Sequence, residues 1–220
     1  MLDVIEKIQN PQKTVTHSII WCHGLGADAH DFLPIVPDLK LSEQNNIRFI
    51  FPNAPVRPIT IFGGQSTTAW YDILSPERIN AQEDEAGLIA SQKEIETLIE
   101  QEIQRGIPSE KIFLAGFSQG CAISLLTLTR TKYKLAGIIG LSGYLPLLNS
   151  TPKESVNLDT PIFMAHGTLD PVVNIELADI SYQHLQSLGY TVSWHAYPMV
   201  HSVCLEEIED IGNFINQYAK

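Results

Sequence analysis

Gly116-Phe117-Ser118-Gln119-Gly120 sets one serine between two glycines at the end of an apolar run, Lys111-Ile112-Phe113-Leu114-Ala115. The pattern is that of a strand reversing sharply into a helix. The backbone is strained at the central serine, and a glycine two residues to either side lets strand and helix approach without Cβ clashes. The hydroxyl is then held out at the top of a sheet. Gly-x-Ser-x-Gly also arises in ordinary Gly/Ser turns, so the rest of the chain decides its meaning.

Outward from the pentapeptide, β-branched and apolar runs at 17–22, 48–51, 111–117, 136–141, 161–166 and 191–197 alternate with longer amphipathic segments. Several of these runs are apolar on both faces, as buried parallel strands are. Segment 2–8 reads as an added edge strand. Leu88, Ile95, Ile99 and Ile103 recur at helical spacing, with Gly106 and Pro108 as a stop. Further helices are expected after Ser118, over 175–188 and over 203–218. The rhythm predicts an α/β fold, a mostly parallel central sheet with helices on both faces, in a single domain over 1–220. One segment breaks it: 52–68 carries Pro52, Pro55, Pro58, the adjacent Gly63 and Gly64, and Arg57 as its only charge. It reads as a long structureless flap over the site.

Composition excludes several function classes. The 220 residues are 44% hydrophobic, enough for one continuous core. No basic, apolar leader opens the chain and no apolar stretch is long enough to span a bilayer, so a soluble, cytoplasmic protein is expected. Cys22, Cys121 and Cys204 show no Cys-x-x-Cys spacing and read as reduced, buried thiols, neither a disulfide framework nor a zinc site. Fourteen basic against 25 acidic residues give a formal net charge of -11, which repels nucleic acid and anionic lipid. The acidic clusters Glu83-Asp84-Glu85 and Glu206-Glu207 stand at expected helix starts. Without histidine spacing they read as solvated, dipole-matched surface, and no metal is expected.

A serine hydroxyl needs a base to take its proton and an acid to fix that base's tautomer, both in loops at the sheet's carboxyl edge. Of seven histidines, His201 follows the run 191–197 and precedes the last helix. His195 falls inside that run, His184 inside a helix, and His17 at the opposite edge. His23 and His166 are each followed by glycine, so turn geometry accounts for them, and His30 falls at an expected helix start. Asp170 is the best-placed acid, just after 161–166, although a carboxylate capping a turn is its plain alternative. Gln119 opens the helix after Ser118 and offers a backbone N–H to a developing oxyanion. Leu25, in His23-Gly24-Leu25-Gly26-Ala27-Asp28, offers the second.

Gly24-Leu25-Gly26-Ala27-Asp28-Ala29 also satisfies a dinucleotide-binding pattern. That reading needs an acidic residue closing the second strand, where Pro52 and Asn53 stand, and Asp28 would repel a pyrophosphate. Ser142 ends a strand in Gly140-Leu141-Ser142-Gly143, but Tyr144 and Pro146 disfavour an elbow there, so it is assigned to the wall of the site.

With these residues assembled, the sequence resembles the acyl-protein thioesterase and cytosolic carboxylesterase family of α/β-hydrolases over essentially its whole length. In order, the motifs are His23-Gly24-Leu25-Gly26-Ala27-Asp28, Pro52-Asn53-Ala54-Pro55, Trp70-Tyr71-Asp72, Gly116-Phe117-Ser118-Gln119-Gly120, Leu141-Ser142-Gly143-Tyr144, His166-Gly167-Thr168-Leu169-Asp170-Pro171-Val172 and His201-Ser202-Val203. The resemblance implies a triad of Ser118, Asp170 and His201, oxyanion donors Leu25 and Gln119, no cofactor, and an acyl pocket beside 55–70. Gly24, Ile61, Phe62, Trp70 and Val172 are expected to face substrate. The implied activity is hydrolysis of lipid-like acyl esters or thioesters through an acyl-enzyme, with acylated proteins and lysophospholipids as candidate substrates and a membrane surface as at most a transient contact. An acyltransferase and a catalytically idle binding protein on the same fold are the alternatives. Two departures bear on the pocket: Ile61-Phe62-Gly63-Gly64-Gln65-Ser66-Thr67-Thr68 replaces a methionine-rich stretch, and Val200 stands where the family has glycine.

Overall fold

A computed structural model describes residues 2–75 and 82–219. Its strands are β1 (Val4–Ile8), β2 (His17–Cys22), β3 (Ile47–Pro52), β4 (Val56–Ile59), β5 (Gln65–Thr68), β6 (Ile112–Phe117), β7 (Gly137–Leu141), β8 (Ile162–Gly167) and β9 (Val192–Tyr197). The helices are α1 (Glu85–Gln104), α2 (Gln119–Arg130), α3 (Ile175–Ser187) and α4 (Leu205–Tyr218), joined by short 3-10 turns such as Leu33–Leu39. Seven strands form one sheet in the order β1-β3-β2-β6-β7-β8-β9. The expected edge strand β1 is antiparallel to β3, and every other pairing in this sheet is parallel.

Alternation along the strands divides the core in two. Ile20, Cys22, Leu114, Ile138 and Met164 point to one face, where Leu88, Ile95 and Ile99 of α1, Ile123 and Leu126 of α2, and Leu185 of α3 cover them. Ile19, Trp21, Phe113, Ile139 and Phe163 point to the other, under Ile208, Ile211 and Ile215 of α4 and Val36 and Leu39 of the 3-10 turn. Strands buried on both faces explain why their sequences are nearly all apolar. The chain leaves β2 for β3 on one side and returns at β6 on the other. A crevice therefore opens at the carboxyl ends of β2 and β6, the switch point of an open α/β sheet.

Segment 52–68 is not the structureless flap expected. β4 and β5 pair antiparallel, Val56 opposite Thr68 and Ile59 opposite Gln65, around a 3-10 turn at Thr60–Phe62. Gly63 and Gly64 adopt positive φ at the reversal. Pro58 is tolerated because a two-stranded ribbon consists of edges only. Asp84 is more than solvated surface: it caps α1, its carboxylate accepting the N–H groups of Gly87 and of Asp72 at 2.9 Å each.

Candidate active site

The elbow forms where the sequence places it. Ser118 has φ +56° and ψ -115°, a left-sided backbone that a non-glycine residue adopts only when its surroundings impose it. Those surroundings leave no space for side chains on either side. A Cβ on Gly116 would lie 2.2 Å from the Gly120 carbonyl carbon, and one on Gly120 would lie 2.1 Å from the carbonyl oxygen of Cys22. The Ser118 N–H donates to the Leu141 carbonyl at 2.9 Å, tying the turn to β7. Ser118 keeps 9% of its surface exposed at the crevice.

His201 and Asp170, expected from strand-end loops, meet. The Nδ1–H of His201 donates to Asp170 Oδ2 at 2.7 Å, and the Asp170 side chain has no exposed surface. Oδ1 of the same carboxylate accepts the N–H groups of Val172 at 2.8 Å and Val173 at 2.9 Å. Burial pushes the Asp170 carboxyl up, but the His201 bond and the two backbone donors outweigh it and hold it below the ordinary carboxylate value. An ionised Asp170 fixes the tautomer of His201, leaving Nε2 with a free lone pair. The imidazole lies against Phe117, ring centroids 4.6 Å apart, and so beside the residue that precedes Ser118.

His166 does more than begin a turn. It lies fully buried at the end of β8, its Nε2–H donates to the Val173 carbonyl at 2.8 Å, and the same nitrogen stands 3.4 Å from Asp170 Oδ2. Burial lowers its pKa, so the neutral ring braces the carboxylate loop without competing with His201 for a proton. His23 is likewise a buried hub, its neutral form favoured by burial. Its Nδ1–H donates to the Gly24 carbonyl at 2.7 Å and its Nε2 accepts the Ala54 N–H at 3.0 Å, a single tautomer satisfying both contacts. Sequence reasoning set both histidines aside because glycine followed each. The signal available was that both lie in apolar strand-end surroundings, where an imidazole must find partners. His30, expected at a helix start, instead sits exposed in a turn beside Asp28.

The loop after β2 approaches the elbow closely. A Cβ on Gly24 would lie 3.4 Å from the Ser118 Cβ, and Gly26 has φ +78°. Leu25 is half-buried between them. Of the residues expected to face substrate, Gly24 adjoins Ser118, Ile61 packs against the core, Phe62 is exposed on the hairpin turn and Val172 is exposed beside Asp170. Trp70 departs from that expectation. It is fully buried, and its indole N–H donates to the His23 carbonyl at 2.8 Å, so it supports the loop and offers substrate no surface. Ser142, also at positive φ, is fully buried behind the elbow.

Two further expectations change. Glu206 is exposed, but Glu207, read as solvated, has no exposed surface and faces the Cys204 backbone N–H and Asp210. Cys22 and Cys121 are buried as expected, whereas Cys204 is half-exposed at the N-cap of α4; all are free. Among the described residues no cluster of His, Cys, Asp and Glu could hold a metal ion, and no helix is long and apolar enough to cross a membrane.

A parallel sheet with a serine elbow at its switch point and an Asp–His pair on the next carboxyl-end loops defines a serine hydrolase of the α/β-hydrolase fold. The sequence profile of the Phospholipase/Carboxylesterase family matches residues 4–219, and the chain belongs to that family. An acyl-protein thioesterase 1 of Neurospora crassa is 42% identical over 212 residues, covering 92% of this chain and 86% of the relative. One of Yarrowia lipolytica is 37% identical over 93% of both chains. Among solved structures, Arabidopsis thaliana SOBER1 superposes with a TM-score of 0.86 at 32% identity, covering 94% of this chain and all of its own. Zea mays acyl-protein thioesterase 2 superposes at 0.83 with 26% identity, covering 98% of this chain and 99% of its own. The protein is an enzyme of the serine esterase and thioesterase class.

Proposed function

We propose that Ser118, His201 and Asp170 hydrolyse acyl esters and thioesters through a covalent acyl-enzyme. Ser118 Oγ attacks the acyl carbonyl as its proton passes to His201 Nε2, while Asp170 holds Nδ1–H and stabilises the imidazolium. The tetrahedral oxyanion is met by the backbone N–H groups of Leu25 and Gln119. It collapses as His201 returns the proton to the leaving alkoxide or thiolate, and water attacks the acyl-Ser118 ester by the same route. The observation that carries this reading is the 2.7 Å bond from His201 to a buried carboxylate whose other oxygen is held by two backbone donors.

Acylated proteins are the proposed substrates, with lysophospholipid-like esters sharing the same chemistry; the names of the fungal relatives support the first. Gly24, Ile61, Phe62 and Val172 line the approach to Ser118. The proposed setting is the cytoplasm, in keeping with free cysteines. A lipid surface is met only transiently, through the exposed Val56 and Phe62 of the hairpin.

The test pairs wild type with Ser118→Ala on a panel of short to long acyl esters and thioesters and an S-acylated protein, with fluorophosphonate labelling of both. The variant should lose on the order of 10⁴-fold or more of its turnover and all labelling, with its fold unchanged. Substantial activity in Ser118→Ala would refute the triad. Labelling without hydrolysis of any panel member would point to a binding protein, and transfer to added alcohols to an acyltransferase.

A further inference from the structure

The two proposed oxyanion donors come from segments far apart in sequence that follow the neighbouring strands β2 and β6, whose ladder ends with Cys22 opposite Gly116. Beyond that ladder, buried side chains tie the two segments together. Gln119 has 2% of its surface exposed, and both polar atoms of its amide are engaged: Oε1 accepts the Trp70 N–H and Nε2 donates to the Tyr71 carbonyl, both at 2.9 Å. Across a short span of loop the amide thus acts as one more strand residue. The Trp70 indole then reaches the other way, Nε1–H to the His23 carbonyl at 2.8 Å, with its ring against the His23 imidazole at 5.4 Å between centroids. His23 passes the constraint on through its bond to the Gly24 carbonyl, whose peptide unit carries the Leu25 N–H. Ser91 Oγ donates to the Trp70 carbonyl and fixes this residue to α1.

Resting on the reading of Ser118 above, we infer that the side chains of Gln119 and Trp70 are positioning residues for the oxyanion hole, a yoke that sets the separation and aim of the Gln119 and Leu25 N–H groups. Each polar atom of the two side chains is bonded within the protein, and Trp70 has no exposed surface. Their influence on the reaction runs through the backbone donors. Oxyanion donors act only if preplaced where charge develops, and a misplacement of about 1 Å can cost about 100-fold in rate. Hydrogen bonds in a buried, low-dielectric setting are suited to holding that placement. The same yoke ends at the base of the β4–β5 hairpin, where the Gly26 N–H donates to the Thr68 carbonyl at 2.8 Å and Thr68 Oγ1 donates to the Ala27 carbonyl at 2.6 Å. The hairpin beside the acyl group is thereby coupled to the hole.

Two variants test the inference. Trp70→Phe removes the indole N–H while keeping an aromatic ring; Gln119→Met keeps length and the backbone N–H but removes both amide bonds. Each is compared with wild type for kcat/KM on a short-chain ester, for KM, and for inhibition by a trifluoromethyl ketone, whose hemiketal oxyanion with Ser118 occupies the hole. The expected result in both is a ~10- to 100-fold fall in kcat/KM, with KM changed little and inhibitor affinity falling in the same proportion. A purely structural role would lower melting temperature without that matched loss. Should Trp70→Phe fail to fold, Gln119→Met carries the test alone. Unchanged kcat/KM and inhibitor affinity in a folded variant, or a rise in KM at constant kcat, would overturn the yoke. Activity surviving in Ser118→Ala would instead overturn the reading on which it rests, so the two failures are distinct.

Discussion

Glu207→Gln should blunt the loss of stability that this enzyme undergoes as pH rises from acid to alkaline. Glu207 sits in the first turn of α4 with no exposed surface, and neither carboxyl oxygen has a well-formed hydrogen-bond partner. Burial is the main cause that pushes its pKa from 4.5 up to about 8; the Cys204 backbone N–H partly offsets this and the charge of Asp210 adds to it. The helix dipole favours a negative charge at this position by at most about 2 kcal/mol, too little to compensate for lost solvation. The folded protein therefore keeps a proton that the unfolded chain releases above pH 4.5. Stability from this group is complete below pH 4.5, falls as pH rises, and levels off above about 8. At pH 7 the loss spans about 2.5 pH units at about 1.4 kcal/mol each, or about 3.5 kcal/mol. The amide variant lacks this loss. Its own unpaired N–H groups add a constant, so the informative quantity is how the difference between variant and wild type changes with pH. Urea unfolding at pH 5 and pH 8 should show the difference moving in favour of Glu207→Gln by about 3 kcal/mol, equivalent to on the order of 10 °C in melting temperature. A difference constant to within about 0.5 kcal/mol across that range would mean that the carboxyl ionises normally in the folded state, and would refute the reasoning.

Gly120→Ala should destabilise the protein by at least about 3 kcal/mol or prevent folding, because its Cβ would lie 2.1 Å from the Cys22 carbonyl oxygen, an atom fixed in the sheet; a melt within 2 °C of wild type would contradict this. In native protein at pH 8 iodoacetamide should modify Cys204 first, since Cys22 and Cys121 are buried and burial pushes the Cys22 thiol up to about 12; peptide mapping showing early labelling of Cys22 would count against it. Exhaustive chelation should leave ester turnover unchanged, because the proposed chemistry uses only side chains and water; loss restored by a divalent cation would overturn that expectation.

The sheet was legible because its strands are buried on both faces and therefore apolar throughout. β2 runs over 17–22 as expected, the other core strand runs agree to within a residue at each end, and the edge strand β1 begins two residues later than expected. The elbow was legible for a different reason: Gly116 and Gly120 are imposed by backbone contacts near 2 Å, and such contacts admit no other residue. The β4–β5 hairpin was not legible. Its strands have four residues each and pair only with one another, so neither burial alternation nor length distinguished them from a proline-rich loop. Trp70 was misplaced because the resemblance put the whole segment 55–70 beside the acyl pocket, and Glu207 because an acid at a helix start suggested solvent; both are fully buried.

What was hardest to read shares one physical character. His23, Gln119, His166 and Glu207 are all buried polar side chains, and composition and spacing alone assign such residue types to turns, caps or surface. The loops at the carboxyl ends of the strands leave the sheet and lose its ladder of backbone bonds, yet they must hold Leu25, Ser118, Asp170 and His201 in fixed relation. Apolar packing alone gives contact without direction; hydrogen bonds from buried side chains supply direction, at the cost of needing every partner in place. Each such side chain braces a different loop: His23 the turn after β2, Gln119 the segment at Trp70 and Tyr71, His166 the Asp170 loop. Glu207 is the exception, buried beside Cys204 where the His201 loop enters α4 and without a well-formed partner, and this edge of the protein is where a rise in pH should act first. If that is so, activity at alkaline pH should decline in wild type before the global unfolding transition is reached, and Glu207→Gln should shift the decline upward in pH. Coincident loss of activity and of structure in both proteins would show that the loop is not the weak point.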